Sequence, residues 1–273
     1  MPAHPPDAPR SGPAAAGPIV GIIGFGAFGQ LMARELRPHA TLLAWDPSPS
    51  REAAERHGVR LATLAEVARS PVVVLAAPVS RLSKAVAAVA PHLRPGALVL
   101  DVGSVKVGPA AIMERGLPAH VDIVATHPLF GPESGRAGVA GLRIAVCPIR
   151  GRGAFRLAAF LRSRLRLRVI LTTPDAHDRE AATVQGLTHL IARALVQMDP
   201  LPSRMTTRSF DHLVAAMDLV RNDAPEVFDA IARANPYAAA VRRRFIDGLA
   251  ELDRALVTPA AVAEAPGPGE RVA

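Results

Sequence analysis

Through the first two thirds of the chain, apolar residues arrive in short unbroken runs rather than in strict alternation. Such runs fall at 19–24, 41–45, 72–76, 97–101, 123–126, 143–147 and 168–171. A strand covered on both faces has that signature. Between the runs the spacing changes to a helical period, which predicts helices over 28–37, 51–57, 64–69, 81–90 and 154–165. Strand and helix alternating in this way imply right-handed crossovers. The fold expected is therefore α/β, an N-terminal Rossmann-type parallel sheet wound on both faces.

After Thr173 the strand signal stops. Residues 175–198 read as one long helix, with Pro174 near its start and Pro200 beyond its end, and further helices follow over 209–220, 225–234 and 237–256. The pattern divides the chain into a dinucleotide-binding domain over 18–172 and an all-helical C-terminal domain over 173–257. The second is too small and too apolar to bury its own surface, so it is expected to serve dimerisation, making a homodimer. Residues 1–17 and 258–273 are dominated by Pro, Ala and Gly and read as a disordered leader and tail.

Composition removes several classes of function. Of 273 residues, 49 % are hydrophobic and 21 % charged, which fits a globular protein and excludes wholesale disorder. The single cysteine, Cys147, leaves no internal disulfide framework and points to a cytoplasmic setting, and no Cys/His cluster has the spacing of a metal site. A net charge of +8 raises nucleic acid as a partner. The basic residues are scattered, however, and aromatics are only 4 %, too few for base-stacking platforms, so no nucleic acid is expected. The charge-free stretch 11–33 is broken by Pro13 and Pro18, and no membrane span is expected either.

That stretch has a better reading. Gly24-Phe25-Gly26-Ala27-Phe28-Gly29 follows the first strand and opens the first helix. Gly24 permits the tight turn, Gly26 lets backbone approach a pyrophosphate, and Gly29 lets the helix pack against the strand. Asp46 ends the second predicted strand, where a carboxylate would accept from the adenosine ribose hydroxyls and repel a 2′-phosphate. This favours NAD over NADP, although Arg51 stands nearby. Ala77-Pro78-Val79 follows the third predicted strand and could wall the nicotinamide half.

Two further strand ends carry polar clusters, Asp101-Val102-Gly103-Ser104-Val105-Lys106 and His127-Pro128-Leu129-Phe130-Gly131-Pro132-Glu133-Ser134-Gly135. In an open α/β sheet both emerge on the same edge as the glycine turn, which would bring Ser104 and His127 beside the nicotinamide. An imidazole titrating near neutrality suits the removal of a hydroxyl proton as hydride leaves the same carbon.

With these residues the sequence resembles the prephenate/arogenate (cyclohexadienyl) dehydrogenase family of tyrosine biosynthesis, whose pattern couples a GSVK turn to an HP-x-x-G-x-E loop. The resemblance runs from about residue 19 to 256. It implies oxidative decarboxylation of arogenate or prephenate, with His127 receiving the ring-hydroxyl proton and Ser104 orienting substrate, His127 and nicotinamide. It also implies that Glu133 shapes the pocket and that His189, in Gln185-Gly186-Leu187-Thr188-His189, binds substrate, with Gln185 on the same helical face. Prephenate-using members carry an Arg in the helical half for the side-chain carboxylate; here Leu219 takes that place, and Arg221 and Arg208 are displaced candidates. The Q-x-x-T-H pattern is similar to arogenate-using members, which tilts the expectation toward arogenate. A dehydrogenase of the β-hydroxyacid type would need a lysine on the long helix, which has none. A non-catalytic NAD-binding sensor is the other alternative.

Overall fold

A computed structural model describes residues 17–257. The expected tail, and all but the last residue of the expected leader, lie outside the described residues. From the N-terminus the elements are β1 (Ile19–Ile23), α1 (Ala27–Leu36), β2 (Thr41–Trp45), α2 (Arg51–His57), β3 (Arg60–Leu61), α3 (Leu64–Ala68) and β4 (Val72–Leu75). There follow α4 (Leu82–Val89), β5 (Leu98–Asp101), α5 (Val107–Gly116), β6 (Asp122–Pro128), β7 (Arg143–Arg150), α6 (Gly153–Ser163) and β8 (Arg168–Leu171). The remainder is helical: α7 (Pro174–Val196), α8 (Arg208–Asp218), α9 (Pro225–Asp229), a wide turn over Ala230–Ala234 and α10 (Ala238–Val257).

All eight strands join one sheet in the order β3-β2-β1-β4-β5-β6-β7-β8. Neighbours along each strand face opposite ways. Ile22, Val74, Leu100 and Val124 belong to one core, with Leu31 and Leu36 of α1 and Leu161 of α6. Ile23, Val73, Val99 and Ile123 belong to the other, with Val67 of α3, Val86 of α4 and Met113 of α5. Burial on both sides is the physical reason for the unbroken apolar runs.

Two expectations need correction. The sheet is not wholly parallel, because β7 runs antiparallel to β6 while every other pairing is parallel. The connection between them, 129–142, contains no crossover helix, so the chain turns back along β6. The antiparallel ladder also lengthens β6 past the expected residue 126, so that His127 stands within the strand, opposite Ala145. Helix α5 was not expected. Gly108 and Pro109 mask it, although both fall in its first turn, where proline is tolerated.

Candidate active site

The order of the sheet reverses between β1 and β4, and ligands of such sheets bind outside the carboxyl ends of the strands at that point. Gly24 there has φ +102°, and a Cβ on it would stand 2.7 Å from the Ala76 carbonyl oxygen. A Cβ on Gly29 would stand 2.3 Å from the Gly24 oxygen, so α1 can lie this close only without one. Gly26 differs: a Cβ there would meet nothing within 4 Å, because it faces open space. Helix α1 begins at that opening with no side-chain cap and no acidic residue in its first turn. Its leading N–H groups, including those of Ala27 and Phe28, are therefore available to a phosphate, and the helix dipole favours an anion.

Asp46 closes the turn from β2. Its Oδ2 accepts from the Phe25 N–H at 2.7 Å and its Oδ1 from the Ser48 N–H at 2.8 Å. The carboxylate is thus fixed with lone pairs to spare, beside a cleft of about 710 Å³ that Arg51 and Glu55 also line. This cleft lies at the adenosine end of such a site, away from His127. Phe25 is buried and contributes its backbone, whereas the Phe28 ring meets Phe130 at 6.3 Å and links α1 to the loop after β6.

Ala77, Pro78 and Val79 follow β4, and Val79 packs over the loop after β5: a Cβ on Gly103 would stand 2.9 Å from Val79 Cγ2. Ser104 is next in that loop, half-buried and, among the described residues, without a side-chain hydrogen-bond partner. Beneath it lies a buried ion pair. Lys106 is wholly buried, with Nζ 2.5 Å from Asp101 Oδ2 and donating to the Thr126 carbonyl at 2.6 Å. Asp101 also accepts from the N–H groups of Gly103 and Thr126, so both charges are enclosed by partners. Burial nonetheless raises the Asp101 carboxyl, against the opposing pull of Lys106.

His127 is buried one residue beyond Thr126, with Nδ1 2.8 Å from His177 Nε2 and Nε2 3.3 Å from the side-chain nitrogen of Gln185. His177 Nδ1 lies 2.7 Å from Asp178 Oδ1. Burial first, then the Lys106 ammonium and His177, holds the His127 imidazole well below the usual histidine range. His177, Gln185 and His189 follow one another at multiples of four along α7 and share one stripe of it. The Gln185 carbonyl oxygen is buried without a partner, which marks unmet hydrogen-bonding capacity beside His127. His189 is also buried, with Nε2 3.8 Å from Asp223 Oδ2, and burial lowers the imidazole while raising the Asp223 carboxyl.

The fold therefore gathers His127 and Gln185, with His189 further along the same stripe, and seats Ser104 on the neighbouring strand end. It does not bring every expected residue to them. Glu133 is exposed on the loop after β6, with no side-chain contact to His127. Arg221 is occupied by Asp199 at 3.0 Å and Asp218 at 3.1 Å. His177, Asp178 and Asp223 were not anticipated as parts of the site, and Asp101 and Lys106 were named only within their polar cluster, with no role assigned. The signal available for the first two was a polar pair on the otherwise apolar inner face of a helix. Among the described residues, no cluster of His, Cys, Asp or Glu is grouped as a metal site requires.

Glycine turn, reversed strand order and a buried imidazole at the carboxyl edge define a Rossmann-type dinucleotide-binding fold completed by a helical half. Residues 32–142 match the family model described as prephenate dehydrogenase, nucleotide-binding domain. The chain is 31 % identical over 232 residues to arogenate dehydrogenase 2, chloroplastic, of Arabidopsis thaliana, covering 80 % of this chain and 64 % of that protein. It is 30 % identical over 195 residues to cyclohexadienyl dehydrogenase of Zymomonas mobilis, covering 66 % of each. Among solved structures, prephenate dehydrogenase from A. aeolicus in complex with hydroxyphenyl propionate and NAD+ superposes with a TM-score of 0.71 at 21 % identity, over 90 % of this chain and 92 % of that one. The chain belongs to the prephenate/arogenate dehydrogenase family. It spans less than two thirds of the length of the Arabidopsis protein.

Proposed function

We propose that the chain is an NAD-dependent dehydrogenase that oxidises and decarboxylates a cyclohexadienol, arogenate or prephenate, in tyrosine biosynthesis. The observation that carries this reading is His127: a buried imidazole whose Nε2, among the described residues, meets only the Gln185 side chain, on the sheet edge that bears the glycine turn. When bound, the nicotinamide supplies the acceptor for the hydride of the carbinol carbon. His127 Nε2 accepts the hydroxyl proton of that carbon. Burial and Lys106 keep the imidazole neutral beforehand, as a base must be. The ring carboxylate then departs as carbon dioxide, driven by aromatisation. Ser104, free of internal partners among the described residues, offers its hydroxyl to the same oxygen, and His189 borders the substrate from α7.

Asp46 supports NAD over NADP, because a fixed carboxylate at the end of β2 suits ribose hydroxyls and repels a 2′-phosphate. Asp223 supports arogenate over prephenate. A half-buried carboxylate beside His189 and Gly131 suits the ammonium of an amino-acid side chain better than a keto acid. Arg221, already held by two carboxylates, is a poor candidate for the anion of prephenate.

A homodimer through the helical half is part of the same reading. Ile246, Leu249 and Leu252 on α10 are at least half exposed, and Leu256 more so, an apolar stripe that a second copy would cover. Among the described residues no helix is long and apolar enough to cross a membrane. A cytoplasmic location fits a chain whose single cysteine forms no internal disulfide. Steady-state kcat/KM for both cyclohexadienols with NAD and with NADP tests the whole assignment. Turnover of arogenate with NAD is expected to lead, and absence of turnover with either substrate would overturn it.

A further inference from the structure

We infer that His177 is a positioning residue that keeps His127 in the tautomer carrying its proton on Nδ1, so that Nε2 presents a lone pair to the substrate. The inference rests on the proposed role of His127 as the base. It starts from a chain of three side chains, His127 Nδ1 to His177 Nε2 at 2.8 Å and His177 Nδ1 to Asp178 Oδ1 at 2.7 Å.

A neutral imidazole has one N–H and one lone pair, so each contact constrains the next. Asp178 already accepts from the backbone N–H of Lys106 at 2.7 Å and of Val107 at 2.9 Å, and it presents an oxygen to His177. His177 meets that oxygen by donating from Nδ1, which leaves its Nε2 as an acceptor. Among the described residues the only nitrogen facing that acceptor is His127 Nδ1, which must therefore carry the proton. His127 Nε2 is then bare, and the Gln185 amide N–H donates toward it at 3.3 Å. Every contact in the chain is satisfied by this one assignment.

Without the chain the outcome reverses, because an isolated neutral imidazole favours the proton on Nε2. His127 would then point an N–H at the substrate hydroxyl and could not remove its proton. When His127 does accept that proton, its Nδ1–H remains donated to His177, and Asp178 steadies the resulting positive charge through the second ring. The proton rests on His127 Nε2, released from the substrate hydroxyl as hydride leaves the same carbon, and no covalent bond within His177 or Asp178 changes. The remaining charges packed around this chain, Lys106 and Asp101, are paired with each other.

The test uses the full chain labelled with ¹⁵N in its imidazoles, together with His177→Leu and His177→Gln. Long-range proton–nitrogen correlations read the tautomer of His127 directly, with assignment by His127→Asn. The expected result is the Nδ1–H form in the unsubstituted protein and the Nε2–H form in His177→Leu. In His177→Leu, kcat falls about 10- to 100-fold, the usual cost of removing an orienting partner, while KM for the cyclohexadienol changes little. The Gln side chain places a carbonyl oxygen near the position of Nε2, so His177→Gln restores the Nδ1–H form and most of kcat. An Nε2–H form in the unsubstituted protein would overturn the inference, as would an unchanged tautomer and kcat in His177→Leu. The spectra need no turnover, so an inactive protein with the Nδ1–H form would sink the proposed activity and leave this arrangement standing.

Discussion

Asp178, near the start of α7, caps a helix that is not its own: its two oxygens accept from the backbone N–H groups of Lys106 at 2.7 Å and Val107 at 2.9 Å, at the N-terminus of α5. Helix α5 has no side-chain cap from its own flank. The cap therefore fastens the helical half to the Gly103–Lys106 turn, and Asn235 holds Asp178 in turn by donating to its carbonyl at 2.8 Å. Asp178→Asn keeps the shape but leaves one acceptor oxygen for three donors. It is expected to lower stability by about 1–3 kcal/mol, the cost of a buried hydrogen-bonding group left unmet. Denaturant titration against the unsubstituted protein measures it.

The proposed reaction places its proton transfer on one side chain. His127→Asn is expected to lower kcat by roughly 10²–10⁴-fold, the range for loss of a general base, with cofactor affinity close to unchanged. Turnover within a few-fold of the unsubstituted enzyme would remove His127 from its role.

Three glycines in one turn are expected to respond differently. Gly26→Ala introduces no clash within the protein, since a Cβ there has open space, so its melting temperature stays put while KM for NAD rises. Gly29→Ala drives a Cβ to 2.3 Å from the Gly24 oxygen, and Gly24→Ala strains a positive φ. Both lower thermal stability before any effect on cofactor can be read. Calorimetry alongside cofactor titration separates the two classes.

Acid should act on His127 in a definite direction. Its proton affinity in the folded chain is held well below the ordinary value of 6.5, so kcat/KM should hold through pH 6.5 and fall only on further acidification. The unfolded chain binds that proton first. The contribution of His127 to stability is therefore fully present above pH 6.5 and declines as pH falls toward the folded value. Melting temperature from pH 7.5 downward should drop more steeply for the unsubstituted protein than for His127→Asn.

Lys106→Met removes the cation that helps to hold His127 neutral, and the acid limb of kcat/KM should move to higher pH. The same change strands Asp101 in the interior, at a cost of about 3–5 kcal/mol. Replacing both partners, Lys106→Met with Asp101→Asn, should recover much of the stability but not the original pH profile.

Much of the architecture was legible because burial on both faces writes itself as unbroken apolar runs; Ile22 and Ile23 point into different cores and both must be apolar. Strand direction leaves no such mark, and the reversal of β7 depends on what the 129–142 connection lacks. Helix α5 was hidden by Gly108 and Pro109, residues that break helices in the middle but not at the start. At the site, His127 and Gln185 announced themselves through motif and helical spacing. His177 and Asp178 did not, because their meaning lies in partners 50 and 72 residues away along the chain. The occupation of Arg221 by Asp199 is equally a fact of tertiary structure.

The reversed course of β7 reaches beyond topology. By pairing with β6 as far as Pro128, it turns the segment bearing His127 from a flexible corner into a rung of the ladder. The proposed proton acceptor is thereby anchored to the sheet, while the walls that would meet the ring come from α7, the α8–α9 turn and the β6–β7 connection. Those walls can drift toward differently substituted rings over evolutionary time without disturbing the anchor, so that a change of diet need not mean a change of chemistry.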